Sequence, residues 1–158
     1  MFDRILAPLD GSPLAESVFP YLLKICRGST ESQVILFSVC EPPKISSDYV
    51  EKAPGAWEQH VKSLTDFSNA QCSLYIKDAE KKLKGMGLKN LKIETRLGDP
   101  ATEIVDYATK NPVDLIVMAS HGRSGPSRWA FGSVADRVFR STCVPVLMVR
   151  GPGCVIGV

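Results

Sequence analysis

The sequence predicts an α/β protein built on a parallel sheet, and three observations carry that reading. Short apolar runs alternate with segments of helical periodicity along the chain, in the order β-α-β-α-β-α-β-α-β. Most of the apolar runs show no in–out alternation, which suits strands covered by helices on both faces. Gly, Pro, Asp and Ser punctuate the junctions, and right-handed crossovers limit how such units connect. The 158 residues fit one domain with a sizeable core.

The first strand is Ile5-Leu6-Ala7-Pro8-Leu9, with Pro8 expected near its end, and it stops at Asp10-Gly11-Ser12. Ser12 followed by Pro13 offers an N-cap and a proline at the first helical position. Leu14, Val18, Leu22 and Ile25 continue at helical spacing to about Arg27-Gly28. Gln33-Val34-Ile35-Leu36-Phe37-Ser38-Val39 is the second strand. Residues 41–63, broken by Pro42, Pro43, Pro54 and Gly55, read as an irregular insertion in which Trp57 hints at one packed contact.

A long helix follows over about residues 64–83, with Cys72, Tyr75, Ile76, Ala79 and Leu83 as its apolar stripe. Leu91-Lys92-Ile93-Glu94-Thr95-Arg96 alternates, as expected of a strand with one solvated face at a sheet edge. Gly98-Asp99-Pro100 turns into a short helix carrying Ile104, Val105 and Ala108, which ends at Asn111-Pro112. Leu115-Ile116-Val117-Met118 is the fourth strand, residues 134–139 an amphipathic helix, and Val144-Pro145-Val146-Leu147-Met148-Val149 the last strand. The domain is expected to span 1–150, leaving 151–158 as a tail. An apolar last strand at a sheet edge is an association hazard, and pairing with a second copy would cover it; the tail or a helix is the other possible cover.

Packing alone does not account for Ala119 to Ser133, a small-residue loop between the fourth strand and the next helix. Gly122, Gly125 and Gly132 let the backbone approach a ligand closely, and Ser133 stands where an N-cap is expected. A helix start behind such a loop suits phosphate, and Arg123 and Arg128 add positive charge. The competing reading is a polar surface connection, against which Trp129, Ala130 and Phe131 argue. In an open parallel sheet ligands bind beyond the carboxyl ends of the strands, where the strand order reverses. If strands one and four are neighbours there, Asp10 and this loop face one crevice.

Composition narrows the function classes. A hydrophobic fraction of 44% with 23% charged residues is ordinary for a soluble globular chain, and a net charge of +2 does not argue for a nucleic-acid surface. The start Met1-Phe2-Asp3-Arg4 lacks signal-peptide character, and no apolar stretch is long enough to span a bilayer, so the expected location is cytoplasmic. Five cysteines without close pairing argue against a disulfide framework, and most of them read as small core residues. With His60 and His121 the only histidines and no Cys-x-x-Cys, a zinc site is not indicated.

Three segments now taken together resemble the universal stress protein family: Arg4 to Ser12, Asp114 to Gly125 with Phe131 to Ala135, and Val144 to Val149. The resemblance covers almost the whole chain. It implies an open five-stranded parallel sheet of order 3-2-1-4-5 with helices on both faces, Rossmann-like and similar to the adenine nucleotide alpha hydrolases. It also implies a ligand crevice between strands 1 and 4 and a homodimer through the last strand. ATP-binding members carry a Gly, two residues, a second Gly, nine residues, then Gly-Ser or Gly-Thr. Gly122, Gly132 and Ser133 match, and Ala119 holds the first position. A strand's last residue usually has φ below zero, so the extra methyl of Ala119 is expected to cost little.

Carried onto this sequence, the resemblance makes Asp10 a partner of ribose hydroxyls or of Mg²⁺. It sets Pro8 and Val39 beside adenine, Val39 through its backbone. The amides of His121, Gly122, Arg123, Ser124 and Gly125 would surround the phosphates. Gly132, Ser133, Val134 and Ala135 would add a hydroxyl and helix N-terminal amides, with Leu9, Ala119 and Ser120 completing the set. Mg²⁺ would arrive mainly on the phosphates. Plainer roles stay open: Asp10 as a local cap, His121 as a packed side chain, Arg123 as a solvated charge and Ser133 as an N-cap alone.

Three functions follow for comparison. The first is an ATP-binding, nucleotide-responsive module of the stress response. The second is a slow ATPase, for which no clear general base stands near the loop beyond His121 or Asp10. The third is a dimeric scaffold that binds no nucleotide. Neither a P-loop nor a Gly-x-Gly-x-x-Gly after the first strand is present, and no nucleic-acid or membrane partner is expected.

Overall fold

The computed structural model describes residues 2–29, 31–43, 56–120 and 132–151. Five parallel strands form one sheet: β1 (Arg4–Pro8), β2 (Gln33–Cys40), β3 (Leu91–Leu97), β4 (Leu115–Ala119) and β5 (Val146–Val149), in the order β3-β2-β1-β4-β5. The helices are α1 (Phe19–Ile25), α2 (Ala56–Gly85), α3 (Pro100–Lys110) and α4 (Ser133–Ser141). Strand order reverses between β1 and β4, where Ile5 lies beside Leu115 and Leu6 beside Ile116. The Asp114 carboxylate fixes that junction at its lower end, accepting from the amides of Asp3 (2.6 Å) and Arg4 (3.0 Å).

The continuous apolar runs are explained by two cores, one on each face of the sheet. Ile5, Ala7, Val34, Leu36, Leu115 and Val117 point to one face, where they meet Leu22 of α1 and Ile76, Ala79 and Leu83 of α2. Leu6, Ile35, Phe37, Ile116 and Met118 point to the other, against Ile104 and Ala108 of α3 and Ala135 and Val138 of α4. The period of two is therefore kept, but both sets are apolar because both faces are covered. The edges differ: β3 alternates apolar with polar residues, as its sequence predicted, and β5 is apolar but leaves Leu147 exposed.

Four expectations are corrected. The first helix does not run from Pro13: the chain makes a 3₁₀ turn at Ala15–Val18 and only then enters α1, with Pro20 in the first turn. Ser12 still caps this start, its Oγ accepting from the Ala15 amide at 3.1 Å. The long helix begins at Ala56, so the second part of the expected insertion is helical and includes Trp57; residues 41–43 are irregular, and 44–55 lie outside the described residues. Strand β5 begins at Val146, Val144 and Pro145 leading into it. Cys40 and Cys72 are joined by a disulfide, with Cα atoms 6.1 Å apart. That pair was hidden because its halves come together only when α2 packs across the end of β2. Cys26 is the buried core residue expected, whereas Cys143 is exposed.

Candidate functional site

At the carboxyl ends of the strands lies a cavity of about 750 Å³, within the range of roughly 300–1,000 Å³ common for small-molecule sites. Four of the parts of the chain that build it were expected from the sequence. Pro8, Leu9 and Asp10 leave β1, and Val39 and Cys40 end β2. Ala119 ends β4, and Gly132 to Ala135 open α4.

The turn after β1 depends on Gly11, whose φ of 84° is the left-handed conformation that favours glycine. It folds the chain so that Asp10 Oδ1 accepts from Ser12 N (2.9 Å) and Ser12 Oγ (2.6 Å). Asp10 thus has the local capping role and also faces the cavity. Past β1, the Leu9 amide still donates to Phe37 O at 2.8 Å, which keeps the β1 exit against β2.

The opposite wall is the start of α4. Gly132, not Ser133, is the N-cap residue, and among the described residues no side chain caps the helix. Ser133 therefore occupies the first helical position. The amides of Ser133, Val134 and Ala135 belong to the first turn, where no intrahelical acceptor exists. They sit at the positive end of the helix dipole, on the cavity wall. The helix is held in place by Arg137, whose Nη1 donates to Asp99 Oδ1 at 2.9 Å. Asp99 also caps α3 through the Thr102 amide. The Arg137 guanidinium, then the Thr102 hydroxyl and amide, hold the Asp99 carboxyl down to about 2.

Ser120 has a different place from the one predicted. It is buried, its amide donates to Val149 O (2.8 Å), and its carbonyl accepts from the Gly132 amide (2.7 Å). Its main chain is committed to β5 and to the far end of the loop, so Ser120 closes the base of the loop instead of lining the cavity. Ala119 shows the negative φ expected of it, since no described non-glycine residue has positive φ. The predicted contacts of His121, Gly122, Arg123, Ser124 and Gly125 lie outside the described residues.

Sequence reasoning missed one wall. Phe67, Gln71, Cys72 and Tyr75 of α2 also line the cavity. Cys72 and Tyr75 were visible as members of an apolar stripe, but the stripe was assigned wholly to the core. Burial, with the Glu16 and Asp10 carboxylates adding to it, pushes the Tyr75 phenol well up, the Gly11 backbone pulling the other way. Tyr75 is thus a neutral group beside the Asp10 turn.

A parallel sheet whose order reverses at a ligand-sized crevice, with an uncapped helix start on one wall, defines an open α/β protein with an anion-suited site. The family model for the universal stress protein family matches residues 1–150, and the chain belongs to that family. Universal stress protein MJ0531 of Methanocaldococcus jannaschii is 31% identical over 155 residues, which cover 96% of this chain and 84% of the relative. Universal stress protein UspA from Lactobacillus plantarum superposes with a TM-score of 0.79 at 25% identity, covering 94% of this chain and 98% of that one. A universal stress protein in complex with cAMP shares the fold at a TM-score of 0.67 and 19% identity, covering 94% and 97%.

Proposed function

We propose that this protein binds ATP with Mg²⁺ in the β1/β4 crevice and serves in the cytoplasm as a nucleotide-responsive module of the stress response. One observation carries the reading: the first turn of α4, with no side-chain cap among the described residues, borders the same cavity as Asp10 and Val39. The amides of Ser133, Val134 and Ala135 are donors for phosphate oxygens. Val39 supplies backbone groups for an adenine edge, with Pro8 as an apolar neighbour. Asp10 accepts from ribose hydroxyls. The cAMP held by a fold relative is also an adenine nucleotide.

The donor set suits a cation delivered by its phosphates. Among the described residues no group of three His, Cys, Asp or Glu could hold a metal by itself. Asp10 and Glu41 are the carboxylates lining the cavity, and Asp10 is the closer in sequence to the β1/β4 junction. Bound Mg²⁺ would neutralise phosphate charge there. Asp10 Oδ1 is engaged by the Ser12 amide and hydroxyl, which suits a binding module whose hydrolysis is slow at most. The apolar β5 edge, with Leu147 exposed, supports a homodimer through that strand.

Denaturing the purified protein and identifying any released nucleotide is the direct test. A titration of ATP–Mg²⁺ against wild type and Gly122→Val accompanies it. The side chain added at Gly122 is expected to block the phosphate approach, and equal affinity in both proteins would reject the site. Phosphate release above background at a rate of ordinary enzymes would reject the non-catalytic reading.

A further inference from the structure

The two halves of α2 are attached very differently. From Ile76 onward, Ile76, Ala79 and Leu83 are buried in the core, and Lys82 Nζ bonds Glu16 Oε1 at 3.1 Å. Before Cys72, no residue in 57–71 is buried; Leu64 and Phe67 are exposed. That half projects past the sheet and forms the cavity wall that carries Phe67 and Gln71. Cys72 is at the boundary, half-buried, and its partner Cys40 is the last residue of β2, next to Val39. Both cysteines border the cavity; Cys72, half-buried, is the one a small oxidant in the cavity reaches, and Cys40 is buried beside it. Their Cα separation of 6.1 Å is within the span of a disulfide without backbone movement.

We infer that Cys40 and Cys72 form a redox-responsive modification site, joined by peroxide-class oxidants and parted by thiols, that fastens the projecting half of α2 over the cavity and so strengthens ligand binding. The chemistry balances in two steps. The Cys72 thiolate attacks one oxygen of hydrogen peroxide and breaks the O–O bond, giving a sulfenic acid and a hydroxide. The Cys40 thiolate then attacks that sulfur, forming the S–S bond and expelling the sulfenic oxygen as a second hydroxide; the two hydroxides take up the two protons the thiols had released and leave as water. Cys26 is a poor competitor, because it is not among the residues that border this cavity and burial pushes its thiol up. With the bridge formed, the wall opposite Val39 is ordered before the ligand arrives, and less ordering remains to be done on binding. Only the identity of the ligand rests on the nucleotide reading above.

The test uses the full chain, reduced with dithiothreitol and freed of it, with one portion then treated with hydrogen peroxide. Peptide mass mapping should find residues 40 and 72 linked after peroxide, with two hydrogens lost. Amide exchange over 57–71 should slow in the linked form. ATP–Mg²⁺ should bind the linked form roughly three- to tenfold more tightly, the gain expected from ordering one wall in advance. All three changes should vanish in Cys72→Ser and persist in Cys26→Ser. Oxidation at other cysteines without a 40–72 link would overturn the inference, as would a link that leaves exchange and affinity unchanged. A link that slows exchange in a protein binding no ATP in either form would uphold the fastening of α2 and reject the nucleotide reading.

Discussion

Replacing Ser133 by proline removes donors from the start of α4 while leaving the helix itself intact. Ser133 is the first residue of α4, where a helix tolerates proline because that amide has no intrahelical acceptor. The preceding Gly132, at φ −57° and ψ 149°, is already in the extended conformation that a following proline requires. Its own hydrogen bonds, from the Gly132 amide to Ser120 O and from the Asp136 amide to Gly132 O, are untouched. The substitution therefore removes an N–H and a hydroxyl from the cavity wall and little else. A hydrogen bond to a charged group contributes about 1.5–3 kcal/mol. Losing it should weaken ATP binding roughly 10- to 150-fold. Ser133→Ala, which keeps the amide and removes only the hydroxyl, should lose less than Ser133→Pro. Titration calorimetry with ATP–Mg²⁺ reads the affinity and a thermal melt reads the fold. The melting temperature should stay within about 4 °C of wild type, the shift for roughly 1 kcal/mol in a domain this size. Wild-type affinity in a normally folded Ser133→Pro protein would refute phosphate binding at the α4 start.

Three further predictions concern the frame around the site. The Asp99 carboxyl, held down to about 2 chiefly by Arg137, contributes its full stabilisation above the unfolded value of about 3.9 and loses it as the pH falls through about 2. In Arg137→Ala its carbon-detected NMR titration should move upward, and because both side chains are about half exposed the stability change at neutral pH should stay within about 1 kcal/mol. Converting Cys72 to serine removes the closure of a 32-residue separation, a loss of about 3–4 kcal/mol in the chain-entropy account. Under non-reducing conditions the melt should fall by roughly 6–16 °C; an unchanged melt would show that the bridge adds nothing to stability. Leu147→Glu puts a charge on the exposed β5 edge and should shift sedimentation from dimer to monomer, whereas a monomeric wild type would dismiss pairing through β5.

What could be read from the chain follows from what each segment had to satisfy. Strands β1, β2 and β4 are covered on both faces, so their apolar runs were unmistakable, and β3 betrayed its edge position by alternating. The start of α2 was obscured because residues 57–71 bury no side chain, so nothing demanded a clean apolar face there. The tie between Cys40 and Cys72 depends on how a helix crosses a strand end, which spacing along the chain does not encode. At the site, Asp10, Val39 and the first turn of α4 were foreseen and line one cavity. The wall from Phe67 and Tyr75 was not, because a residue that borders a cavity and one that fills a core share the same helical period.

The hydrogen bond from the Gly132 amide to Ser120 O brings the departure and return of the intervening segment to a single point. Because the Ser120 amide in turn donates to Val149 O, a pull on the start of α4 is passed through that rung to β4 and on to β5. The cavity wall and the sheet edge therefore yield together, and a disturbance at one is felt at the other.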